Sequence, residues 1–527
     1  MDFQQAVELF SAGRLPEAAA VCRGLLDVQP QHVQALHMLS LILANEGQTA
    51  EALEGIERVI QLEPQSLALR AAKASMLLYA ERLDEAEAVV QAGLAAQPQA
   101  PDLLDLLGVI RLGRGDPRSA EECFRSALKL SPGHAGARGN LALLYEQSNR
   151  MEEVLCLTQE GLAARPGDVT LRLVLGRCQR RQGDYAAARN TLTALQQAGT
   201  PKLRRDVEYE LALCADALEE TEAAFEHSRH ANALARELKP QSVIEGQGFG
   251  DLVQNLYARF TPEWVAAWQD LPADSSAQPM FLVGFPRSGT TLLDSMLGAH
   301  PDVMVLEERP TVQAMLDGLV HLPGGYPEAL KDLTEAERAA LARDYSRVAT
   351  AHARDRKCAL DKSPFLSVHA GLIQRVFPGA PILFMVRHPC DVVWSCFMTN
   401  MELNPGTVHF TELPSTVNLY CGIMALWLRY RDLLPLNYRL VRYEDLLDAP
   451  GEVLRDILAF LGLPWSENVL RHTEHVAVRG RISSASYAQV SRPLYHSARD
   501  RWRRYVKYLE PYFPQLRPYC ELFGYAL

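Results

Sequence analysis

The chain has 527 residues, 48% hydrophobic and 22% charged, with a net charge of −11. That length suits two or three domains with separate cores, and the acidic balance excludes nucleic acid as the main partner. No secretion signal opens the chain, no apolar run approaches the roughly 18–20 residues that span a bilayer, and the ten cysteines show no CxxC pair or zinc spacing. These features predict a cytoplasmic protein with reduced thiols, no metal site and no membrane span.

The N-terminal part repeats every 34 residues. Prolines fall at Pro30, Pro64, Pro98, Pro132 and Pro166, with Pro201 one residue late. A small-residue column runs Ala18, Ala52, Ala86, Ala120, Val154, Ala188, and a turn column holds Gly13, Gly47, Gly115 and Gly183, with Glu81 and Asn149 at its other steps. Small residues let two helices approach, the turn residue reverses the chain, and proline ends each unit. The pattern resembles the tetratricopeptide repeat, an all-α superhelix of about six units over residues 1–200, with a helical cap to 239. Such arrays often hold an extended peptide in a concave groove. The plainer alternative is an array that docks on its neighbour or on a second copy.

Residues 240–278 read as a helical connection and linker. From 279 to 527 short apolar runs alternate with helical patterns. Strands are expected at 280–284, 357–360, 381–386 and 438–442, and helices at 290–299, 334–355, 366–376, 389–398, 416–434 and 450–461. Fully apolar strands such as Ile382-Leu-Phe-Met-Val386 predict a parallel sheet covered on both faces. Its ligands should gather at the C-terminal ends of the strands.

The first strand leads into Gly284-Phe-Pro-Arg-Ser-Gly-Thr-Thr291, laid out as a phosphate-binding loop. The lysine that would reach a nucleoside triphosphate is missing. Amides and hydroxyls of Ser288, Gly289, Thr290 and Thr291 can donate to a phosphate, and Arg287 adds a forked charged donor. A second strand end carries Arg387, with Ser395 two helical turns on, a pair suited to another phosphate.

Together these elements resemble the sulfotransferases that use 3′-phosphoadenosine 5′-phosphosulfate, and most closely the protein-tyrosine sulfotransferases, from about residue 280 to 505. Leu-Gly-Ala-His300-Pro, Glu307-Glu308, Asp361-Lys362-Ser-Pro-Phe365, Arg442-Tyr443-Glu-Asp-Leu446, Ser486-Tyr-Ala-Gln489-Val490-Ser-Arg492-Pro493 and Arg501-Trp502 follow that family's order. The resemblance implies a P-loop-like sulfotransferase fold and a metal-free reaction. It makes Glu308 the base, Lys362 the cation at the departing phosphate and Ser486 a contact to the transferring group. Arg287 to Thr291, Arg387, Ser395, Tyr443, Gln489, Val490, Arg492 and Arg501 would hold the donor. Glu307 competes with Glu308 as base, Tyr443 could equally be a core residue, and His300 reads as structural. The eight Lys/Arg between Arg479 and Lys507, against the one acid Asp500, read as a patch for the anionic nucleotide.

Two departures concern the acceptor and the donor rim. Glu308-Arg309-Pro310-Thr-Val-Gln-Ala314 lacks the arginine spacing that grips acidic peptides in the tyrosine enzymes, and Thr399 stands where they carry a donor-side arginine. The expected function is sulfuryl transfer to a hydroxyl, tyrosine foremost, with the repeats recruiting the acceptor or a protein partner. The alternatives are a carbohydrate or small-molecule acceptor, a P-loop kinase, and a nucleotide-binding scaffold without catalysis.

Overall fold

The computed structural model describes residues 2–80, 82–239, 243, 247–269, 271, 278–350, 358–471, 473 and 499–527. Internal contacts divide the chain into two compact units, Met1–Cys178 and Gln179–Leu527.

The first unit is built of antiparallel helix pairs, beginning with Phe3–Ser11 and Leu15–Val28 and continuing through Ala135–Gln147 and Met151–Ala164. The 34-residue small column is the packing seam: Ala18, Ala52, Ala86, Ala120 and Val154 are all fully buried. Where the turn column carries Asn149 in place of glycine, the backbone keeps the left-handed conformation (φ +59°), which asparagine tolerates best among larger residues. Two of the first helices are entered through the same histidine cap. His32 Nδ1 caps the Ala35 amide at 3.2 Å and His134 Nδ1 caps Ala137 at 3.0 Å, three repeats apart.

In the second unit, β1 (Met280–Gly284), β2 (Val303–Glu307), β3 (Cys358–Lys362), β4 (Ile382–Val386) and β5 (Tyr438–Arg442) form one sheet in the order β2-β3-β1-β4-β5. Every pairing is parallel. Strand alternation loads both faces. Phe281 and Val283 enter one core with Phe384 and Trp427, whose rings stack at 3.9 Å. Met280 and Leu282 enter another with Leu293, Leu360 and Leu446. β1 lies between β3 and β4, where the winding reverses direction, so the crevice beyond its end is the position for a ligand. β2 is absent from the expected strands because its five residues directly follow the His300-Pro301 turn. β3 runs two residues beyond the expected 357–360, which puts Asp361 and Lys362 inside the sheet.

The division of the chain also differs from the boundaries expected at 239 and 278. Helices Pro201–Ala217 and Thr221–Glu237, read as a repeat cap, are built into the sheet-bearing unit. Phe225 stacks on Tyr508 at 4.0 Å, and Asn232 Nδ2 donates to Phe397 O at 3.1 Å. The expected linker contributes Val253, Leu256, Phe260 and Trp264 to the same core. Periodicity identifies helices but not the surface on which each one packs. Among the described residues no helix is long and apolar enough to cross a membrane.

Asp216 joins these helices to the C-terminal segment. Its carboxylate meets Arg501 Nη2 at 2.7 Å, Arg504 Nη2 at 3.1 Å and Tyr505 Oη at 2.6 Å. Asp216→Ala leaves two partly buried guanidinium groups unpaired, and a loss of about 2–3 kcal/mol in urea unfolding is expected. Lys507→Ala is the contrast. Its partner is Glu222 at 3.4 Å, and both side chains are more than 70% exposed. That change should stay within about 0.5 kcal/mol.

Candidate active site

Beyond β1, Phe285-Pro-Arg-Ser-Gly289 turns into the helix Thr290–Gly298. Arg287 (φ +68°) and Gly289 (φ +106°) are left-handed and flank Ser288, the backbone alternation that lets successive N–H groups converge on an anion. Glycine is required at 289 for a second reason: a Cβ there would lie 2.5 Å from the Tyr443 ring. The helix adds the unpaired amides of its first turn and its positive dipole end. Ser288 Oγ is buried and has no hydrogen-bond partner among the described residues. An isolated buried hydroxyl is costly, and a bound phosphate oxygen would satisfy it.

β4 delivers the second half. Arg387 leaves the strand end, and Pro389 opens the helix Pro389–Phe397, which carries Ser395. The structure joins the two halves more closely than the expected Arg387–Ser395 pair. Ser395 Oγ accepts from Arg287 Nε at 3.0 Å, Arg387 Nη1 donates to Arg287 O at 3.3 Å, and Arg387 lies 4.9 Å from the Tyr443 ring centroid. Two guanidinium groups thus meet beside one loop, with Asp391 3.7 Å from Arg387. Tyr443 packs against both Gly289 and Arg387.

The third element lies at the ends of β2 and β3. Lys362 is fully buried, and its Nζ lies 3.0 Å from Glu308, 3.4 Å from Asp294 and 3.5 Å from Glu307. Burial alone would lower the ammonium pKa, but Asp294, Glu308 and Glu307 outweigh it and hold the pKa above the ordinary lysine range. Glu308 is half exposed on a left-handed backbone (φ +50°), and its amide donates to Lys362 O at 2.8 Å. Arg287 and Glu308 are two of only five non-glycine residues with positive φ among the described residues. Strained backbone of this kind concentrates at functional sites. Asp294 was absent from the expected site, although a carboxylate amid Leu292, Leu293, Met296 and Leu297 is a legible signal.

Asp361, adjacent to Lys362 in the sequence, points to the opposite face of β3. There its Oδ2 accepts from Thr311 at 2.5 Å and Tyr345 at 3.1 Å. Burial raises its pKa to about 6, against the lowering pull of those two hydroxyls and of Lys362. Since the folded-state value is raised, this group contributes stability in full below its unfolded pKa and loses it as pH rises through about 6. Asp361→Asn keeps an acceptor for both hydroxyls but cannot ionise. Relative to the parent it should gain on the order of 3 kcal/mol between about pH 4 and 7.5, measured as the difference in urea midpoints.

Arg501, expected at the donor, has its guanidinium paired with Asp216. Other basic residues of the segment, among those described, are also paired. Arg499 meets Asp448, Arg503 meets Asp500 and Lys507 meets Glu222. Asp448 and Glu222 arrive from other elements and escape a charge count along the segment, whereas Asp500 is the segment's own acid. Ser486, Gln489, Val490 and Arg492 lie outside the described residues. His300 is structural, its Nε2 donating to Pro464 O at 2.9 Å.

Comparison with known proteins finds matches in both parts of the sequence. Residues 279–467 match the sulfotransferase family, and 3–66, 106–153 and 156–202 match a tetratricopeptide repeat. An uncharacterized protein of Aquifex aeolicus (strain VF5) is 27% identical over 95% of this chain and 67% of its own length. The protein-tyrosine sulfotransferase of Drosophila melanogaster is 29% identical over 42% of this chain and 46% of its own. Protein-tyrosine sulfotransferase 2 of Gallus gallus is 29% identical over 42% and 62%. The chain therefore spans less than two thirds of either enzyme. It carries tetratricopeptide repeats in its N-terminal part and, over 279–467, a domain of the sulfotransferase family.

Proposed function

We propose that this protein transfers a sulfuryl group from 3′-phosphoadenosine 5′-phosphosulfate to an acceptor hydroxyl. The observation that carries the reading is the convergence of a lysine-free anion loop, the Arg287–Ser395–Arg387 cluster and the Glu308–Lys362 pair at the C-terminal ends of adjoining strands. A triphosphate would find no loop lysine; a 5′-phosphosulfate with a separate 3′-phosphate finds two anion sites. Gly289, Thr290, Thr291 and Ser288 would hold the 5′ end, and Arg387 and Ser395 the 3′-phosphate, with Tyr443 beneath them. Ser486, Gln489, Val490 and Arg492 remain assigned to the donor by the family resemblance alone.

The bound donor supplies an activated sulfuryl group; the chain supplies position and charge. Glu308 takes the proton of the acceptor hydroxyl, from a half-exposed position that an acceptor can reach. Lys362 offers its ammonium to the oxygen that departs with the phosphate, held in place from behind by Asp294 and Glu307. We assign the acceptor as a protein hydroxyl, tyrosine first, brought by the repeat unit, and place the reaction in the cytoplasm.

Titration with 3′,5′-adenosine bisphosphate and with ATP tests the donor assignment, and a preference for ATP overturns it. Incubation with labelled donor and cell extract tests the acceptor. Label in a protein band, mapped to tyrosine, supports the full reading; label only in glycans or small molecules replaces the acceptor while leaving the donor site standing.

A further inference from the structure

The scattered cysteines are not all scattered in space. His388 follows Arg387 at the end of β4, Cys390 lies in the first turn of the next helix, and Cys520 comes from the C-terminal helix Phe513–Leu522. All three are buried, and one ring nitrogen and two Sγ atoms lie within 4.8 Å of one another. The separation of 130 positions between the two cysteines explains why no sequence spacing betrays the cluster.

The imidazole is oriented as a metal ligand is. Its Nε2 lies 2.9 Å from Ala526 O, and a carbonyl can only accept, so Nε2 carries the proton and Nδ1 the lone pair. A ligating histidine commonly shows this same bond from its other nitrogen to a backbone carbonyl. The ring plane is fixed by stacking on Trp502 at 4.8 Å. Nδ1 now accepts a 3.2 Å bond from the Cys390 amide, a contact that a cation would take over. Two thiolates and one imidazole form a soft donor set, preferred by zinc and cuprous ions over magnesium or calcium. With a divalent ion the two thiolates sum to zero charge, as a buried site requires.

We propose that His388, Cys390 and Cys520 form a site for a thiophilic d10 cation, zinc(II) foremost, which ties the C-terminal helix to the β4 junction. Two protons leave the thiols as the two metal–sulfur bonds form, and no redox change is involved. A water fills the fourth zinc position. The site does not depend on the proposed sulfuryl transfer.

The test uses the reduced full-length protein, stripped with a chelator and titrated with cobalt(II) as the spectroscopic probe for zinc. About one equivalent should bind with thiolate-to-metal charge-transfer absorption and tetrahedral d–d bands. Zinc(II) should displace the cobalt and raise the melting temperature by several degrees. Cys390→Ser and Cys520→Ser should each cut the bound metal to below about a tenth of an equivalent, whereas Cys214→Ser, a buried cysteine elsewhere, should not. Competition with a cuprous-selective chelator distinguishes copper(I) from zinc(II) as the resident ion; either supports the site. Because the unsubstituted protein is itself titrated, misfolding of a variant does not decide the outcome. Absence of charge-transfer absorption overturns the proposal, as does uptake that survives loss of both cysteines. So does a Cys390–Cys520 disulfide in the protein as isolated.

Discussion

Glu308→Gln is expected to lower sulfuryl transfer about 10²–10⁴-fold while 3′,5′-bisphosphate affinity changes by less than about threefold. The amide preserves shape and the contact toward Lys362 but cannot take the acceptor proton. Glu308 is the right carboxylate for this role because of its position rather than its identity. It is half exposed, whereas Glu307, one residue earlier, is only 11% exposed and lies 3.5 Å from Lys362. Glu307→Gln should therefore act mainly by loosening the lysine, with a smaller loss of kcat and a drop in stability. The comparison is made by single-turnover transfer with saturating donor, alongside bisphosphate titration of each variant. Unchanged turnover in Glu308→Gln, with loss in Glu307→Gln, would exchange the two roles.

The parts of this molecule visible in the sequence are those written in local pattern. The repeat column needed only spacing, and each of its residues in the first unit is a buried seam. The loop at Arg287–Thr291 was equally visible, because a strand, a glycine turn and a helix start must be contiguous to hold an anion. What escaped was assembled from distant segments. Asp216 lies 285 residues before Arg501, yet the two side chains pair at 2.7 Å. Cys390 and Cys520 meet only because the C-terminal helix returns to β4. Lys362 was recognised, but its setting was not. Only the observed length of β3 shows it as a strand residue facing away from Asp361, and only the sheet order brings Asp294, Glu307 and Glu308 around it.

That setting makes Lys362→Met the most damaging single change expected in the second unit. The side chains match in length, so lost packing is small; the lost charge is the effect. Asp294 is fully buried and Glu307 nearly so, and both lose the ammonium in this variant. Removing one partner from such a cluster costs about 3–5 kcal/mol. The sign of the pH dependence supports reading this at neutral pH. The folded-state pKa of Lys362 is raised, so its contribution is complete below the ordinary lysine pKa and declines only as pH rises beyond it. Transfer activity should fall below detection in the same variant. Those two effects are separable. Lys362→Met combined with Asp294→Asn removes one buried carboxylate charge and should recover about half of the lost stability in urea unfolding, with no recovery of turnover. Recovery of both would reduce Lys362 to a structural counter-ion. Recovery of stability alone leaves the ammonium doing what a buried, triply paired lysine beside an anion loop is placed to do, which is to meet negative charge that develops during the reaction.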